Sequence, residues 1–317
     1  MPELPEVETI RRQLAPEVTG RTIESAEILD ERLTRPEAPQ RVAKALPGRR
    51  IESVGRRGKY LLLELEGGRA LALHLRMTGN LLLRPAEGPV ADLMEVDRLG
   101  GPRLYESPPE FRHLRARLGL DDGSELLFTD VRRFGQAVLL AGEEIEEYFA
   151  ARLGVEPLSD ELTPEELCRR ASGRTAPLKS FLLTQSAVAG IGNIYADEAL
   201  HRAGLHPLSP AGSMRPEHCD ALVEGIVEAL EAALDLGGSS IDDYRDARGE
   251  RGSMQDEFLV HTREGKPCPR CSAGERDRGV PKIERIVVGG RSTYFCPACQ
   301  RRLRKRPRRR APRRRSA

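Results

Sequence analysis

Residues 60–75 read Tyr-Leu-Leu-Leu-Glu-Leu-Glu-Gly-Gly-Arg-Ala-Leu-Ala-Leu-His-Leu, two short apolar runs separated by a Gly-Gly pair. Runs of this length bounded by glycine are typical of β-strands. Similar runs follow at Leu81–Leu83, Glu125–Phe128 and Ala137–Leu140, and glycine, proline or aspartate separates them. The pattern predicts a β-rich domain of the sandwich type between about residues 22 and 140.

The chain on either side of this domain has helical patterns. The spacing of Val7, Ile10 and Leu14 predicts an amphipathic helix close to the first residue. A capping box with proline at the first helical position, Thr163-Pro-Glu-Glu166, predicts another helix start. The overall class is therefore α+β with several domains.

A longer helix is predicted from about residue 216 to 236, where Leu222, Ile226 and Leu230 form an i, i+4 stripe. A glycine-rich, charged segment, Gly237–Gly252, follows it. The proposed domains are 1–150, 151–263, 264–300 and a basic tail at 301–317.

Composition indicates a globular protein large enough for two domains, with 39% apolar and 32% charged residues in 317. Uninterrupted apolar stretches stay well below the roughly 18 residues needed to span a membrane. The first 30 residues carry glutamates where a signal peptide has an apolar segment. We therefore expect a cytoplasmic protein without membrane contact.

The formal net charge of +2 hides a strong asymmetry. Residues 1–300 carry 40 basic and 49 acidic side chains, a balance of −9, whereas residues 301–315 contain ten Arg, one Lys and no acid. Such a run is expected to be disordered and to attach to phosphates in a salt-dependent way. A solvated tail with no role is the alternative.

Four of the six cysteines form two Cys-x-x-Cys knuckles, Cys268-Pro-Arg-Cys271 and Cys296-Pro-Ala-Cys299, with 24 residues between them. In a chain without secretory features this spacing predicts a tetrahedral thiolate zinc site rather than two disulfides. Cys168 and Cys219 fall in helical patterns, so we expect them to be small core residues and not ligands.

Two stretches suggest chemistry. Ala189-Gly-Ile-Gly-Asn-Ile-Tyr-Ala-Asp-Glu198 places a glycine turn before a helix, an arrangement that binds phosphate but also occurs in ordinary connections. The opening Met1-Pro-Glu-Leu-Pro-Glu-Val-Glu8 places a proline second and three glutamates after it. Removal of the first methionine would leave the secondary amine of Pro2 free.

Six motifs, in order over about 300 residues, resemble formamidopyrimidine-DNA glycosylase, a bacterial family that repairs oxidised purines. They are Pro2-Glu-Leu-Pro-Glu-Val-Glu8, Gly58-Lys-Tyr-Leu-Leu62, His74-Leu-Arg-Met-Thr-Gly79, Arg132-Arg-Phe-Gly135, Gly190-Ile-Gly-Asn-Ile-Tyr-Ala-Asp-Glu198 and the zinc segment that contains Arg291. The resemblance implies an N-terminal β-sandwich, a helical domain with a helix-two-turns-helix element and a zinc finger built as a β-hairpin. Double-stranded DNA with oxidised bases would be the partner of a monomeric, nucleoid-associated enzyme.

The resemblance also implies the catalytic residues. Pro2 would attack the sugar C1′, because a free α-amino group has a pKa near 8 and is partly uncharged at neutral pH. Glu3 would supply a proton in base release, while Glu6 would position the sugar or cap the helix. Lys59, otherwise a solvated strand-edge lysine, would act in elimination. Arg291 would clamp the lesion phosphate and assist δ-elimination.

A glycosylase fills the gap left by the extruded base. Met77, Arg132 and Phe134 resemble the family's filling set, although Met77 or Phe134 alone would suit a core. Asn193 resembles the second half of the phosphate clamp. His74, His113 and Arg174 are the remaining candidates for DNA contact. One structural zinc, held by Cys268, Cys271, Cys296 and Cys299, would orient Arg291 without taking part in the reaction.

The chain departs from the family pattern at several places. The gap between the knuckles is long, which predicts extra hairpin residues within 274–282, and Pro85–Pro109 reads as an insertion. Arg115 stands where a second histidine is usual, Val131 replaces a proline, and Gly252-Ser-Met254 replaces an aromatic pair in the loop that resembles the lesion cap.

Two other functions compete with a glycosylase and lyase for oxidised purines. A relative of endonuclease VIII, which prefers oxidised pyrimidines, would be expected to have glycine in place of Leu4. A zinc-dependent DNA-binding protein without activity would have no need of Pro2, Glu3 and Lys59. The sequence favours the purine enzyme.

Overall fold

The structure is a computed structural model and describes residues 1–86, 113–241, 244–273 and 279–304. The insertion at 85–109, the extra hairpin residues and the tail lie wholly or partly outside the described residues. The helices are α1 Leu4–Val18, α2 Pro39–Ala45, α3 Glu144–Ala150, α4 Pro164–Ala171, α5 Leu178–Leu182, α6 Asn193–Arg202, α7 Pro216–Asp235 and α8 Pro269–Ser272. The strands are β1 Ile23–Ile28, β2 Ile51–Arg57, β3 Tyr60–Leu65, β4 Arg69–His74, β5 Gly79–Arg84, β6 Leu114–Leu120, β7 Glu125–Asp130, β8 Gln136–Ala141, β9 Glu284–Val288 and β10 Arg291–Phe295.

Eight of these strands form two four-stranded antiparallel sheets, ordered β1-β6-β7-β5 and β2-β3-β4-β8. Leu61 and Leu71 of one sheet and Leu118 and Phe128 of the other belong to one buried cluster. Two sheets that share a core in this way form a β-sandwich. The predicted fold class is confirmed.

The sheet that contains residues 60–75 packs apolar side chains on both of its faces. Leu61 and Leu63 point into the sandwich core, whereas Tyr60 and Leu62 pack on the opposite side in a cluster with Phe149 of α3. Because both faces are covered over residues 60–63, this part of β3 is continuous in apolar residues, and the exposed Glu64 follows where the second cover ends.

Helix α1 packs on the same core through Val7, Ile10 and Leu14, as their spacing predicts. The helix begins directly after Glu3, whose backbone is extended and which acts as its N-cap. This packing fixes the start of the chain against the sandwich.

The chain divides into two compact units. The first contains the sandwich and comprises residues 1–157, 185–192 and 228–258. The second contains α4 to α6, the first part of α7 and the β9-β10 hairpin, and comprises residues 158–184, 193–227 and 259–317. Within the described residues, no helix is both long enough and apolar enough to cross a membrane.

The predicted long helix is α7, which runs from Pro216 to Asp235. The expectation for the two remaining cysteines is wrong in one respect. Cys219 on α7 is buried, but Cys168 on α4 is only half-buried, and their sulfurs form a disulfide. Their spacing fits each helix separately, and only the packing of α4 near α7 brings the sulfurs together.

Candidate active site and zinc centre

The carboxylate of Glu3 lies directly on the glycine turn that precedes α6. A β-carbon added to Gly192 would meet the Glu3 carboxyl carbon at 2.2 Å, so only glycine fits beneath it. The backbone N–H of Leu4 donates to the carbonyl of Gly190 at 3.1 Å. The first turn of α1 therefore packs directly on the glycine turn, and Glu3 between them is 1% exposed.

Gln185 fixes the conformation of that glycine turn. Its side-chain nitrogen donates to the carbonyl of Ile191 at 2.8 Å, and its oxygen accepts from the N–H of Gly190 at 3.0 Å. Sequence reasoning missed this residue, because nothing in its local pattern separates a clamping glutamine from a surface one.

Glu6 joins the start of α1 to the glycine-rich segment 237–252. One carboxylate oxygen accepts from the N–H of Glu3 at 2.7 Å, and the other accepts from the N–H of Ser239 at 2.8 Å. Gly238 has φ +82, and a β-carbon there would lie 2.9 Å from Cγ of Glu6. Glu6 thus caps the helix and also holds a loop more than 200 residues away in sequence.

Glu8 has a different environment from Glu3 and Glu6. It forms ion pairs with Arg11, Arg12 and Arg56 at 2.8 to 3.1 Å. Burial alone would raise the pKa of Glu8, but the hydrogen bonds and charges of these arginines outweigh it and lower the pKa. Glu8 is an ionised structural residue that ties α1 to β2.

Lys59 lies in the turn between β2 and β3 and is 5% exposed. At the neighbouring Gly58, φ is +55, and an added β-carbon would meet Leu153 at 3.3 Å and Ala189 at 3.4 Å. The turn that carries Lys59 therefore packs against the residue just before the glycine turn. Glu3 and the Lys59 turn adjoin the same loop, residues 189–192.

His74 is buried beside this turn. Its ring packs edge-on against Tyr60 with centroids 4.6 Å apart, and Nδ1 accepts from the N–H of Arg76 at 3.0 Å. Burial, together with the positive charges of Arg76 and Lys59, lowers the pKa of His74 to about 3. The imidazole is therefore neutral at physiological pH, with its proton on Nε2.

Met77, Arg132 and Phe134 are exposed, and the Arg132 guanidinium stacks over the Phe134 ring at 4.9 Å. Buried Asp130 fixes the two turns that carry them. It accepts from the backbone N–H groups of Arg132 at 3.2 Å and Gly135 at 2.7 Å, and from the hydroxyl of Thr78. The structure thus brings the three predicted gap-filling residues to one edge of the sandwich.

The two arginines of the Arg132-Arg-Phe-Gly135 motif differ in role. Arg133 has φ +59 and makes a bidentate ion pair with Asp30 at 2.5 and 2.9 Å. That hydrogen bonding lowers the pKa of Asp30 to about 2. Arg133 is therefore an anchor for the turn, whereas Arg132 points its guanidinium to the exposed aromatic ring.

In the second unit a buried charge network connects α5, α6 and the hairpin. Lys179 donates to Asp197 at 2.7 Å and to the carbonyl of Ser292 at 2.9 Å. The other Asp197 oxygen bonds His261 Nδ1 at 2.9 Å and accepts from the N–H of Tyr294 at 3.3 Å. Burial raises the pKa of Asp197, although the hydrogen bonds and charges of His261 and Lys179 act to lower it. The network was not predicted, because its members are far apart in sequence.

This network sets the start of β10, where exposed Arg291 precedes Ser292. Asn193, the first residue of α6, also donates to the Ser292 carbonyl, at 3.1 Å. Its side-chain oxygen is buried and accepts no hydrogen bond within the described residues. Asn193 is thus hydrogen-bonded to the residue that follows Arg291, its expected partner in the phosphate clamp.

Two further candidates, Arg174 and His113, lie on different parts of the chain. Arg174 is exposed after α4, with its guanidinium 5.6 Å above the Phe181 ring. His113 is half-buried before β6, and its carbonyl accepts from the N–H of Asp130 at 2.9 Å.

The four knuckle cysteines cluster, with all their sulfurs within 4.8 Å of one another. Cys268 and Cys299 are 3.8 Å apart, as are Cys271 and Cys296. A tetrahedral ion with Zn–S bonds of about 2.3 Å requires about 3.8 Å between sulfurs, so the cluster fits one zinc. Four thiolates leave no open position for a substrate, and the predicted structural zinc site is confirmed.

His201 on α6 contacts this cluster from outside. Its Nε2 lies 3.4 Å from Sγ of Cys268, and burial lowers the pKa of His201 to about 4. A neutral imidazole can donate its proton to the thiolate and hold the sulfur in place. The sequence did not indicate this role, because the helical pattern of α6 predicts only that His201 is buried.

Three family models match the chain in succession. They describe the formamidopyrimidine-DNA glycosylase N-terminal domain at residues 1–137, the H2TH domain of the same enzyme at 153–245, and a zinc finger found in FPG and IleRS at 282–302. The chain belongs to the formamidopyrimidine-DNA glycosylase family. The resemblance drawn from the six motifs is confirmed.

Similar relatives include formamidopyrimidine-DNA glycosylases of Chloroflexus aurantiacus, 44% identical over 300 residues, and Chloroflexus aggregans, 46% identical over 301. Each match covers 95% of this chain and 98% of the relative. Among solved structures, the Lactococcus lactis Fpg complex with abasic-site DNA has a TM-score of 0.80 at 33% identity, covering 95% of this chain and all of that one. A MutM complex with DNA containing carbocyclic 8-oxo-G has a TM-score of 0.79 at 33% identity and the same coverage.

Proposed function

We propose that this chain is a bifunctional DNA glycosylase and AP lyase that removes oxidised purines, 8-oxoguanine and formamidopyrimidines, from double-stranded DNA. It acts in base excision repair, as a monomer, in the cytoplasm at the nucleoid. The observation that carries the proposal is the buried Glu3 carboxylate on Gly192, beside the turn that holds Lys59. The Glu3 carboxylate and the turn of Lys59 thus adjoin one loop, residues 189–192, and Glu3 directly follows Pro2 in the chain.

In the proposed reaction, the nitrogen of processed Pro2 bonds to C1′ of the damaged nucleotide while the glycosidic bond breaks. The base leaves with the bonding electrons and takes a proton that Glu3 supplies. Opening of the sugar ring then converts the new bond into a cationic C=N, and O4′ takes a proton. Because this cation withdraws electrons, the 2′ proton becomes acidic.

Loss of the 2′ proton expels the 3′ phosphate, and a second elimination expels the 5′ phosphate. Lys59 acts in these eliminations and holds a phosphate. Asn193 and Arg291 clamp the lesion phosphate, an assignment supported by the hydrogen bond from Asn193 to the carbonyl of Ser292, the residue that follows Arg291. Arg291 also assists the δ-elimination.

The DNA contacts complete the proposal. Met77, Arg132 and Phe134 fill the space of the extruded base, which their exposure on one edge supports. The remaining DNA contacts are His74, His113 and Arg174. The zinc bound by Cys268, Cys271, Cys296 and Cys299 supplies no chemistry and holds the hairpin that carries Arg291.

The test is borohydride trapping on duplexes that contain either 8-oxoguanine or an oxidised pyrimidine. We expect a covalent complex, and faster excision of the purine. Pro2→Gly and Glu3→Gln should each reduce single-turnover excision at least about a hundredfold. Glu17→Gln, an exposed change on the same helix, should leave it unchanged.

Preference for the pyrimidine would replace the proposal with an endonuclease VIII-like function, and no trapped complex with either duplex would leave a non-catalytic DNA-binding protein. Mass analysis of the active protein should find a free Pro2. Undiminished strand scission by protein with a retained methionine or an acetylated Pro2 would contradict the role of Pro2.

A further inference from the structure

The turn formed by residues 132–135 is held separately at its ends and at its centre. Asp130 accepts from the N–H groups of Arg132 and Gly135, so it fixes where the turn begins and ends. The centre is Arg133, whose backbone is left-handed at φ +59. That conformation is unfavourable for a residue with a long side chain and persists where other contacts enforce it. At Arg133 the bidentate ion pair with Asp30 enforces it.

The backbone of Arg133 determines the direction of the side chains on either side of it. These belong to Arg132 and Phe134, both exposed, with the guanidinium stacked over the ring at 4.9 Å. We infer that Asp30 is a positioning residue for Arg132 and that, through Arg133, it sets how strongly the protein discriminates the base opposite a lesion. The inference rests on the proposed DNA contact of Arg132 and not on base excision.

Asp30 is itself fixed to both sheets of the sandwich. It lies in the loop that follows β1 and is 4% exposed. The N–H of Leu29 donates to the carbonyl of Arg115 in β6 at 2.8 Å, and the N–H of Ala137 in β8 donates to the carbonyl of Leu33 at 2.7 Å. Strands β6 and β8 belong to different sheets. The loop therefore bridges the two sheets, and the carboxylate of Asp30 has a fixed position.

Arg115 adds a second positive charge beside Asp30, at the position where the family usually has a second histidine. Its Nε lies 3.7 Å from the Asp30 carboxylate and donates to the carbonyl of Asp130 at 2.8 Å. The hydrogen bonds from Arg133, together with the charges of both arginines, lower the pKa of Asp30 to about 2, although burial acts to raise it. An uncharged amide at position 30 would remove the anion between two guanidinium groups.

The chemistry of the guanidinium indicates which base a fixed Arg132 would prefer. Arginine has only hydrogen-bond donors, and they form a rigid fork. The pairing edge of cytosine has two adjacent acceptors, N3 and O2, whereas that of adenine has one acceptor beside a donor. A bidentate contact separates one base from another by about tenfold or more. An Arg132 that is free to change direction loses this advantage, because both arms must be aimed at once.

The measurement is the affinity, by fluorescence anisotropy, for duplexes that contain a tetrahydrofuran abasic analogue opposite either cytosine or adenine. The analogue has no base to excise, so a protein that fails to excise 8-oxoguanine would count against the proposed function alone. The full-length wild type is compared with Asp30→Asn, Arg133→Lys, Arg132→Ala and the double variant Asp30→Asn/Arg132→Ala. Glu27→Gln, which removes the same charge at an exposed position three residues before Asp30, is the matched control.

We expect the wild type and Glu27→Gln to bind the cytosine duplex about tenfold more tightly than the adenine duplex. Asp30→Asn should bring this ratio to within about twofold, because the arginine fork is no longer aimed. Arg133→Lys, a change in a side chain that is 40% exposed, should lower the ratio in the same direction without unfolding the protein. Arg132→Ala should abolish the preference, and adding Asp30→Asn to it should change the ratio no further.

A purely structural role of Asp30 predicts that both duplexes are weakened equally, and an unchanged ratio in Asp30→Asn would overturn the inference. A wild-type ratio near one would also overturn it. A change of ratio that Asp30→Asn still causes in the Arg132→Ala background would refute the route through Arg132. Urea denaturation checks that each variant is folded, and if Asp30→Asn is not, an unchanged ratio in Arg133→Lys decides against the inference.

Discussion

At the scale of single residues, each oxygen of the Glu6 carboxylate accepts a different backbone N–H, one from Glu3 and one from Ser239. An amide has only one such oxygen. Both carboxylate oxygens of Glu6 are therefore needed as acceptors, whereas the carboxylate of Glu8 pairs with three arginines.

Glu6→Gln should accordingly leave one buried N–H facing an amide NH₂ group. We expect the free energy of unfolding to fall by about 1–3 kcal/mol, measured by urea denaturation. Base excision should fall as well, because the 237–252 loop loses its attachment. Glu17→Gln is the matched control, and a Glu6 variant with wild-type stability and excision would disprove the double-acceptor role.

The same scale explains Asp130. Its carboxylate holds the turns of Met77 and of Arg132–Gly135 at once, although the sequence singled out only its neighbour Val131. A single buried acid next to a strand end has no local signature, so its partners become visible only in the folded chain.

At the scale of elements, the disulfide between Cys168 and Cys219 connects α4 to α7 across 51 residues. Closing a loop of this size restricts the unfolded chain and stabilises the fold by about 2–4 kcal/mol. Sequence reasoning placed both cysteines in helical cores because each fits its own helix, and the periodicity of one helix carries no information about the other.

We therefore expect dithiothreitol to lower the melting temperature of the wild-type protein but not that of a Cys168→Ala/Cys219→Ala double variant. Alkylation of denatured, chelator-treated protein should modify four thiols before reduction and six afterwards, as counted by intact mass. Six modified thiols without reductant would show that the bond is not formed.

The hairpin β9-β10 is held on the helical unit by noncovalent hydrogen bonds to its backbone. In the buried pair, Lys179 donates to the Ser292 carbonyl and Asp197 accepts from the Tyr294 N–H. Charged hydrogen bonds, and not apolar packing alone, therefore position the hairpin on α6. Buried pairs of this kind fix geometry more than they add stability.

At the scale of the whole molecule, the zinc cluster and the sandwich belong to different compact units. The zinc finger is too small to fold on apolar burial, and metal binding supplies its folding free energy. The sandwich has its own core, so we expect it to remain folded without the metal.

Cys296→Ser, or treatment with a strong chelator, should release the zinc and weaken DNA binding at least about tenfold. Calorimetry should still detect the unfolding transition of the sandwich. Metal content by atomic absorption should be one zinc per wild-type chain and per Cys168→Ala chain, the matched control. Unchanged DNA binding in zinc-free protein would refute a role of the hairpin in holding Arg291.

The sequence by itself determined the parts of this protein that depend on neighbours in the chain. The strand runs around residues 60–75, the glycine turn before α6, the helix at Pro216–Asp235 and the two knuckles all follow from local spacing. Backbone preferences, burial periodicity and the spacing of metal ligands act over a few residues, so the order of residues in the sequence is enough to predict them.

Only the tertiary structure decided which distant groups satisfy each other. Gln185 on the glycine turn, Glu6 on Ser239, and His201 on Cys268 join segments that no periodicity relates. A buried hydrogen-bonding group requires a partner but not a particular sequence separation, so the choice is made when the chain packs.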